Sequence, residues 1–186
     1  RIRPDGGVAR LRAEGRPVGL ALDYDGTLTP IVSKPGAARL SPRVRRWLKW
    51  LGLRRGVTVA IVSGRRLEDA SRRVGVPNLT CVGLHGLERR WRGGRVEWVW
   101  RRTDVARVEQ LARWVTARAP FLDGWRLDRK GPAVGFHHRG FTRSVVLRLK
   151  RTVARACRSH PGPWRLIDNS RTLEVTAVAV HKGDAI

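Results

Sequence analysis

The sequence predicts an α/β fold: a parallel sheet with crossover helices, interrupted after its third strand by a separate α+β unit. Three observations carry this. Two short apolar runs, "VGLAL" at 18–22 and "VTVAIV" at 57–62, have the length of strands buried on both faces, and the second is rich in β-branched residues. An amphipathic helical stretch lies between them, which is the connection that neighbouring parallel strands need. From about residue 89 to 179 the pattern changes to short alternating runs and two longer stretches at helical spacing.

Taken in order, 18–22 is bounded by Pro17 and by an acidic pair. Val44, Trp47, Leu48 and Leu51 then recur at helical spacing after Ser41-Pro42, an N-cap followed by a first-turn proline. Gly52 and Gly56 end that helix, and 57–62 is the second strand. A short helix is expected at 67–74 and a third strand at 79–82, running into "GLHG". This is β-α-β-α-β. Beyond it, "RVEWVW" alternates as a half-exposed strand does, and Val105, Val108, Ala112 and Val115 mark a helix. "GWRLDRKGPAVGFHHRG" reads as two strands turning at Lys130-Gly131-Pro132. Val145, Val146, Leu149, Val153 and Ala156 mark another helix, and "WRLID" and "TLEVTAV" are strands around an Asn169-Ser170 turn. The expected organisation is a core of 1–88, continued by 180–186, with a β-α-β-β-α-β-β unit inserted at 89–179.

The chain's 186 residues suit one domain, or a core with an insertion, and 41% hydrophobic content argues against disorder. No apolar run approaches the roughly 18 residues that would span a bilayer, and no secretory leader pattern opens the sequence. Cys81 and Cys157 are too few for a disulfide framework or a zinc set, so a reducing, cytoplasmic setting is expected. The net charge of +24 raises the question of nucleic acid. The basic residues are mostly arginine and are spread over the polar faces of amphipathic segments, as in "PRVRRWLKWLGLRRG". They read as a solvated surface with no specific nucleic-acid partner, attracting polyanions only in a salt-sensitive way.

Three motifs stand at the carboxyl ends of expected parallel strands, the edge where open α/β sheets bind ligands. The first is Asp23-Tyr24-Asp25-Gly26-Thr27. One carboxylate of such a pair can attack phosphorus and the other can protonate the leaving oxygen and then activate water. Two free carboxylates this close repel, and a hard cation such as Mg²⁺ would relieve that and bridge to phosphate. The alternative is an ordinary acidic turn. The second motif is Ser63-Gly64-Arg65, whose hydroxyl and backbone N–H groups suit a phosphate oxygen, or merely cap a helix. The third is Lys182-Gly183, where a lysine can neutralise phosphate charge, or simply be solvated.

In this order the motifs resemble those of the haloacid dehalogenase-like phosphatases, with a Rossmann-type parallel sheet and an inserted α+β cap. Within that superfamily the resemblance is to the trehalose-6-phosphate phosphatase family. It rests on "LDYDGTLTPIV", "SGR", "GLHGLE", "KGPAVGFHHR" and "LEVTAVAVHKGDAI", and covers about 17–186. It implies a Mg²⁺-dependent phosphatase hydrolysing trehalose 6-phosphate through an aspartyl-phosphate. Asp23 would be the nucleophile and Asp25 the general acid/base. Mg²⁺ would sit on Asp23 and on the Asp25 backbone carbonyl. Thr27, Ser63, Gly64 and Lys182 would hold phosphate, and Lys130, His137, Arg139 and Glu174 of the cap would contact sugar. His85 reads equally as a core histidine. Trp91, Trp98, Trp100 and Trp125 could stack on sugar rings, but tryptophan more often fills a core or a domain interface, so they are left out of the site.

The sequence departs from the pattern in places. His138 stands for a usual tyrosine, Thr176-Ala177 for Arg-Pro, and His181 for Asn or Asp. The family's acidic fourth motif is not found; Asp184 is too near Lys182, and Asp168-Asn169 falls in the inserted unit. The expectation is therefore a fragment with an incomplete core sheet and an exposed first strand, binding Mg²⁺ poorly and turning over slowly. The competing readings are a phosphatase of another phosphosugar and a non-catalytic module that binds a sugar phosphate or a partner.

Overall fold

The computed structural model describes residues 17–32, 35–119, 127–169, 171–180 and 182–185. The chain divides into two compact units, Arg1–Trp98 with His181–Ile186, and Val99–Val180.

The first unit is built on a five-stranded sheet in the order β1-β2-β3-β4-β5. β1 (Val18–Asp23), β2 (Val57–Val62) and β3 (Thr80–Gly83) run parallel. β2 is buried at five of six positions, as a central parallel strand covered on both faces should be. β1 forms an edge of the described sheet and is only half-buried. Helix α1 (Pro42–Gly52) starts at Ser41, whose Oγ accepts a bond from the Val44 N–H at 3.2 Å. Helix α2 (Leu67–Val74) buries Leu67, Ala70 and Val74. The strand and helix apolar faces meet in one core that includes Leu48, Val59, Ile61, Val74, Leu79 and Cys81.

β4 (Glu88–Arg90) and β5 (Val96–Trp98) complete this sheet as an antiparallel hairpin on β3. The expected layout had put "RVEWVW" into the inserted unit. Here a single 3-10 turn, Leu84–Gly86, joins β3 to β4. The Trp91 and Arg95 backbones close the next turn at 2.9 Å. Connections this short return a strand beside the one it has just left, antiparallel to it.

The second unit begins with helix α3 (Arg102–Arg118), where the Asp104 carboxylate accepts from the Arg101 N–H at 2.8 Å. β6 (Leu127–Arg129) and β7 (Ala133–His137) follow, then helix α4 (Arg143–Ser159), β8 (Arg165–Asn169) and β9 (Thr172–Thr176). Its four-stranded sheet has the order β6-β7-β9-β8 and is antiparallel throughout. Val134 and Phe136 of β7 and Leu173 and Val175 of β9 pack with Val108, Leu111 and Val115 of α3 and Leu149 and Val153 of α4. Strand alternation therefore turns Gly135, His137, Thr172 and Glu174 to the sheet face away from the helices. Ser170 of the expected turn, Trp125 and His181 lie outside the described residues. No helix among the described residues is long and apolar enough to cross a membrane.

Candidate active site

The register of the parallel strands assembles the first unit's site. Asp23 pairs with Val62, and Val62 with Val82. The segments that follow, Asp23–Thr29, Ser63–Arg65 and Gly83–His85, thus leave the sheet at one edge. The first is a tight loop: Gly26 N–H donates to Thr29 O at 2.9 Å, and Thr29 Oγ1 donates to Tyr24 O at 3.1 Å. Tyr24 is fully buried, and its hydroxyl donates to Ala38 O at 3.2 Å. Burial pushes its phenol up, against Arg65 and Arg73, so it keeps the proton it donates.

Each carboxylate of the pair has a cation. Lys182 Nζ lies 3.0 Å from Asp23 Oδ2. Arg65 grips Asp25 with two parallel bonds, Nε to Oδ2 at 2.8 Å and Nη2 to Oδ1 at 2.7 Å. Its Nη1 donates to Asp69 Oδ2 at 3.0 Å. Asp69 also accepts from Arg72 at 2.9 Å and from Arg73 at 2.8 Å. Partial burial alone would raise the Asp69 pKa; bonds from Arg73, Arg72 and Arg65 outweigh it and hold it at about 2. Burial likewise works against the Arg65 charge, and the bonds to Asp25 and Asp69 more than offset that. The repulsion expected between two acids is thus balanced by side chains 40 residues apart or more in sequence.

Ser63 is fully buried, and its Oγ accepts from the Arg65 N–H at 3.1 Å, folding the turn that aims Arg65 at Asp25. A Cβ at Gly64 would lie 2.6 Å from His85 Nε2, so the imidazole would have to move to admit one. His85 itself holds a left-handed backbone, φ 58°. Thr27 is exposed in the loop after Asp25.

A second polar cluster occupies the open face of the second sheet. Lys130 Nζ donates to Glu174 Oε2 at 2.7 Å and lies 3.5 Å from Asp128 Oδ2. Glu174 is buried. His137 Nε2 is 3.7 Å from the same Asp128 oxygen, and its Nδ1 is hydrogen-bonded to Thr172 Oγ1 at 3.0 Å. Burial by itself would discharge Lys130; Glu174 and Asp128 raise its pKa instead. The nearby His137 ring lowers the Asp128 pKa, with burial opposing and Lys130 adding to it. Arg139 is exposed on the turn after β7. Of the tryptophans, Trp91 donates to Glu97 at 3.0 Å across the β4–β5 hairpin, and Trp98 is exposed.

Sequence reasoning missed Arg65 as a side chain, Asp69, Asp128 and Thr172. For Asp69 a local signal existed, since it stands four residues after Arg65 at the start of a helix. Asp128 lies two residues before Lys130 in the same strand pair.

The trehalose-phosphatase family model matches residues 21–186. The chain belongs to this family. It is 30% identical over 167 residues to a probable trehalose-phosphate phosphatase of Sinorhizobium fredii, an alignment covering 90% of the chain and 62% of that protein. Among solved structures, the C-terminal domain of C. albicans trehalose-6-phosphate phosphatase superposes with a TM-score of 0.75 at 23% identity, over 91% of this chain and 60% of that one. A haloacid dehalogenase-like hydrolase from B. subtilis superposes at 0.61 and 15% identity, over 90% and 75%. The fold of this trehalose-phosphatase family member is therefore haloacid dehalogenase-like. The chain spans less than two thirds of the length of the Sinorhizobium relative.

Among the described residues no group of three or more His, Cys, Asp or Glu side chains is gathered as a metal site. The donors at the β1 edge are two carboxylates and backbone carbonyls, all hard oxygens. That set fits Mg²⁺, which is commonly held by one or two carboxylates while substrate phosphate and water fill its remaining positions.

Proposed function

We propose that this chain carries the catalytic residues of a phosphomonoesterase acting on trehalose 6-phosphate, with Asp23 as the nucleophile. The observation that carries the reading is the convergence of Asp23, Ser63 and Lys182 at one strand edge, with Lys182 Nζ 3.0 Å from the Asp23 carboxylate. A lysine there steers a phosphate dianion towards the attacking oxygen and offsets charge as it develops. Ser63 and the Gly64 turn are assigned to the phosphate oxygens, and Thr27 to the same group from the loop. Asp23 Oδ attacks phosphorus and the bond from phosphorus to the sugar oxygen breaks. The Asp25 carboxyl gives its proton to that oxygen. Asp25 then takes a proton from water, whose oxygen attacks the phosphorus of the aspartyl-phosphate and frees Asp23. Arg65 orients Asp25 for both steps. Mg²⁺, held by the Asp23 carboxylate and the Asp25 carbonyl, would supply charge neutralisation on the phosphate.

The second unit is assigned the role of a cap that recognises the sugar. Its buried Lys130–Glu174 pair, with Asp128 and His137, presents donors and acceptors suited to hydroxyl groups, and Arg139 is assigned to the same role from the family resemblance. The substrate is a small phosphosugar, and a reducing cytoplasm suits the unpaired Cys81 and Cys157.

The test is phosphate release from trehalose 6-phosphate, glucose 6-phosphate and sucrose 6-phosphate, each with and without Mg²⁺. The proposal expects Mg²⁺-dependent release with trehalose 6-phosphate preferred. Preference for another ester would move the assignment to a different phosphosugar. Binding without release from any of them would favour the non-catalytic module.

A further inference from the structure

Apart from the paired acids, the first unit contains a cavity of about 510 Å³. It lies between the 36–40 segment, α1 and α2, and its wall includes Tyr24, Ala38, Arg39, Arg45, Arg72 and Arg73. None of its described lining residues is acidic, and none is Asp23, Asp25, Ser63 or Lys182.

Four guanidinium groups around one space repel one another, and their local counter-charge is thin. Asp69 is the carboxylate that meets Arg72 and Arg73, and it is shared with Arg65. Arg73 is otherwise committed to the backbone, Nη1 donating to Gly36 O at 3.2 Å and to Ala38 O at 3.1 Å. Arg45 Nη2 donates to Arg73 O at 3.2 Å, while its Nε is buried and has no hydrogen-bond partner among the described residues. A buried charged donor without a partner is costly, so this arginine is held under local electrostatic strain. Arg39 is exposed at the mouth. The volume falls within the ~300–1,000 Å³ range of small-molecule sites. Arginine forks match phosphate oxygens two at a time. Tyr24 and Ala38 add an apolar wall.

We propose that this cavity is a second anion site, binding a small phosphorylated molecule through Arg39, Arg45 and Arg72. Asp69 stands between the cavity and Arg65, so an anion here draws on the same guanidinium chain that holds Asp25.

The experiment is calorimetric titration with inorganic pyrophosphate, without divalent metal and at physiological salt. The proposal expects one site, weakened at least about tenfold by Arg45→Gln and by Arg39→Gln, the loss of a charge-assisted bond in each case. Arg39 is exposed, so its variant keeps the test informative if Arg45→Gln disturbs the α1–α2 contact. The paired control Arg92→Gln, Arg95→Gln removes two exposed charges from the β4–β5 turn and is expected to change affinity less than about twofold. Three results would overturn the proposal. One is no binding. Another is equal weakening by the control pair, which marks diffuse attraction to a basic surface. The last is binding that survives both cavity variants and is lost in Lys182→Gln, which puts pyrophosphate beside Asp23.

Discussion

At the scale of single residues, the site is a set of acids held by named cations, and two of these make testable claims. Asp69 joins three arginines, and its folded pKa of about 2 lies below the ordinary 3.8. A depressed carboxylate contributes stability that is complete above the unfolded value and is lost as pH falls through the folded one. Asp69→Asn should therefore cost at most about 1 kcal/mol at pH 7, discounted for partial exposure. The gap from the parent in urea unfolding should close between about pH 4 and pH 2. A gap that stays constant over that range would show that the arginine bonds are not its source. Glu174 is the stronger case because it is buried against a largely buried lysine. Glu174→Gln removes the nearer of two carboxylates that meet Lys130 and keeps the more distant Asp128. The expected loss is about 3 kcal/mol, the lower end for a broken buried pair, read as a lower urea midpoint. The double variant with Lys130→Met should recover part of it.

At the scale of elements, the turns that leave the first sheet are fitted to each other. Gly83 ends β3 where α2 begins, and a Cβ there would lie 2.4 Å from Leu67 N and 2.7 Å from Leu67 Cα. Backbone cannot yield as a side-chain tip can. Gly83→Ala should destabilise by about 2–3 kcal/mol, measured by urea unfolding, and should loosen the Ser63–Arg65 turn that packs beside it. Most of these elements were legible beforehand. β2 is a continuous β-branched run and α2 a short amphipathic stretch with acids in its first turn and arginines in its last, and both appear at the expected residues. The β4–β5 hairpin was not legible in the same way. Alternation in "RVEWVW" reports a strand but not its partner, and the partner was decided by the brevity of the turns around it. The site shows the same division. Asp23 and Ser63 each end a parallel strand, so their meeting could be expected from strand order; Lys182 was expected at the end of such a strand too, but it follows none, and it meets Asp23 from the short 3-10 turn Lys182–Ala185. The Arg65–Asp25 grip and the Asp128–His137 contact depend on how side chains cross between segments, which no local spacing records. Thr27 and Arg139 came from the motif and the resemblance, and both are exposed.

At the scale of the whole molecule, the account rests on a division of labour. One unit gathers Asp23, Asp25, Ser63 and Lys182 at the edge of a parallel sheet, where the proposed function puts the phosphate. The other presents a polar sheet face suited to sugar hydroxyls. Part of the high positive charge converges within the first unit, on Asp25, on Asp69 and around the arginine-lined cavity. The central claim is that Asp23 forms a covalent phosphoryl bond. It is tested most directly by trapping. The chain is mixed with trehalose 6-phosphate and Mg²⁺, quenched with borohydride, digested and read by mass spectrometry. Reduction of an aspartyl-phosphate converts that aspartate to homoserine. Homoserine is expected at position 23 and not at position 25, with loss of both the homoserine and phosphate release in Asp23→Asn. Phosphate release with no homoserine at position 23, or release that persists in Asp23→Asn, would contradict it.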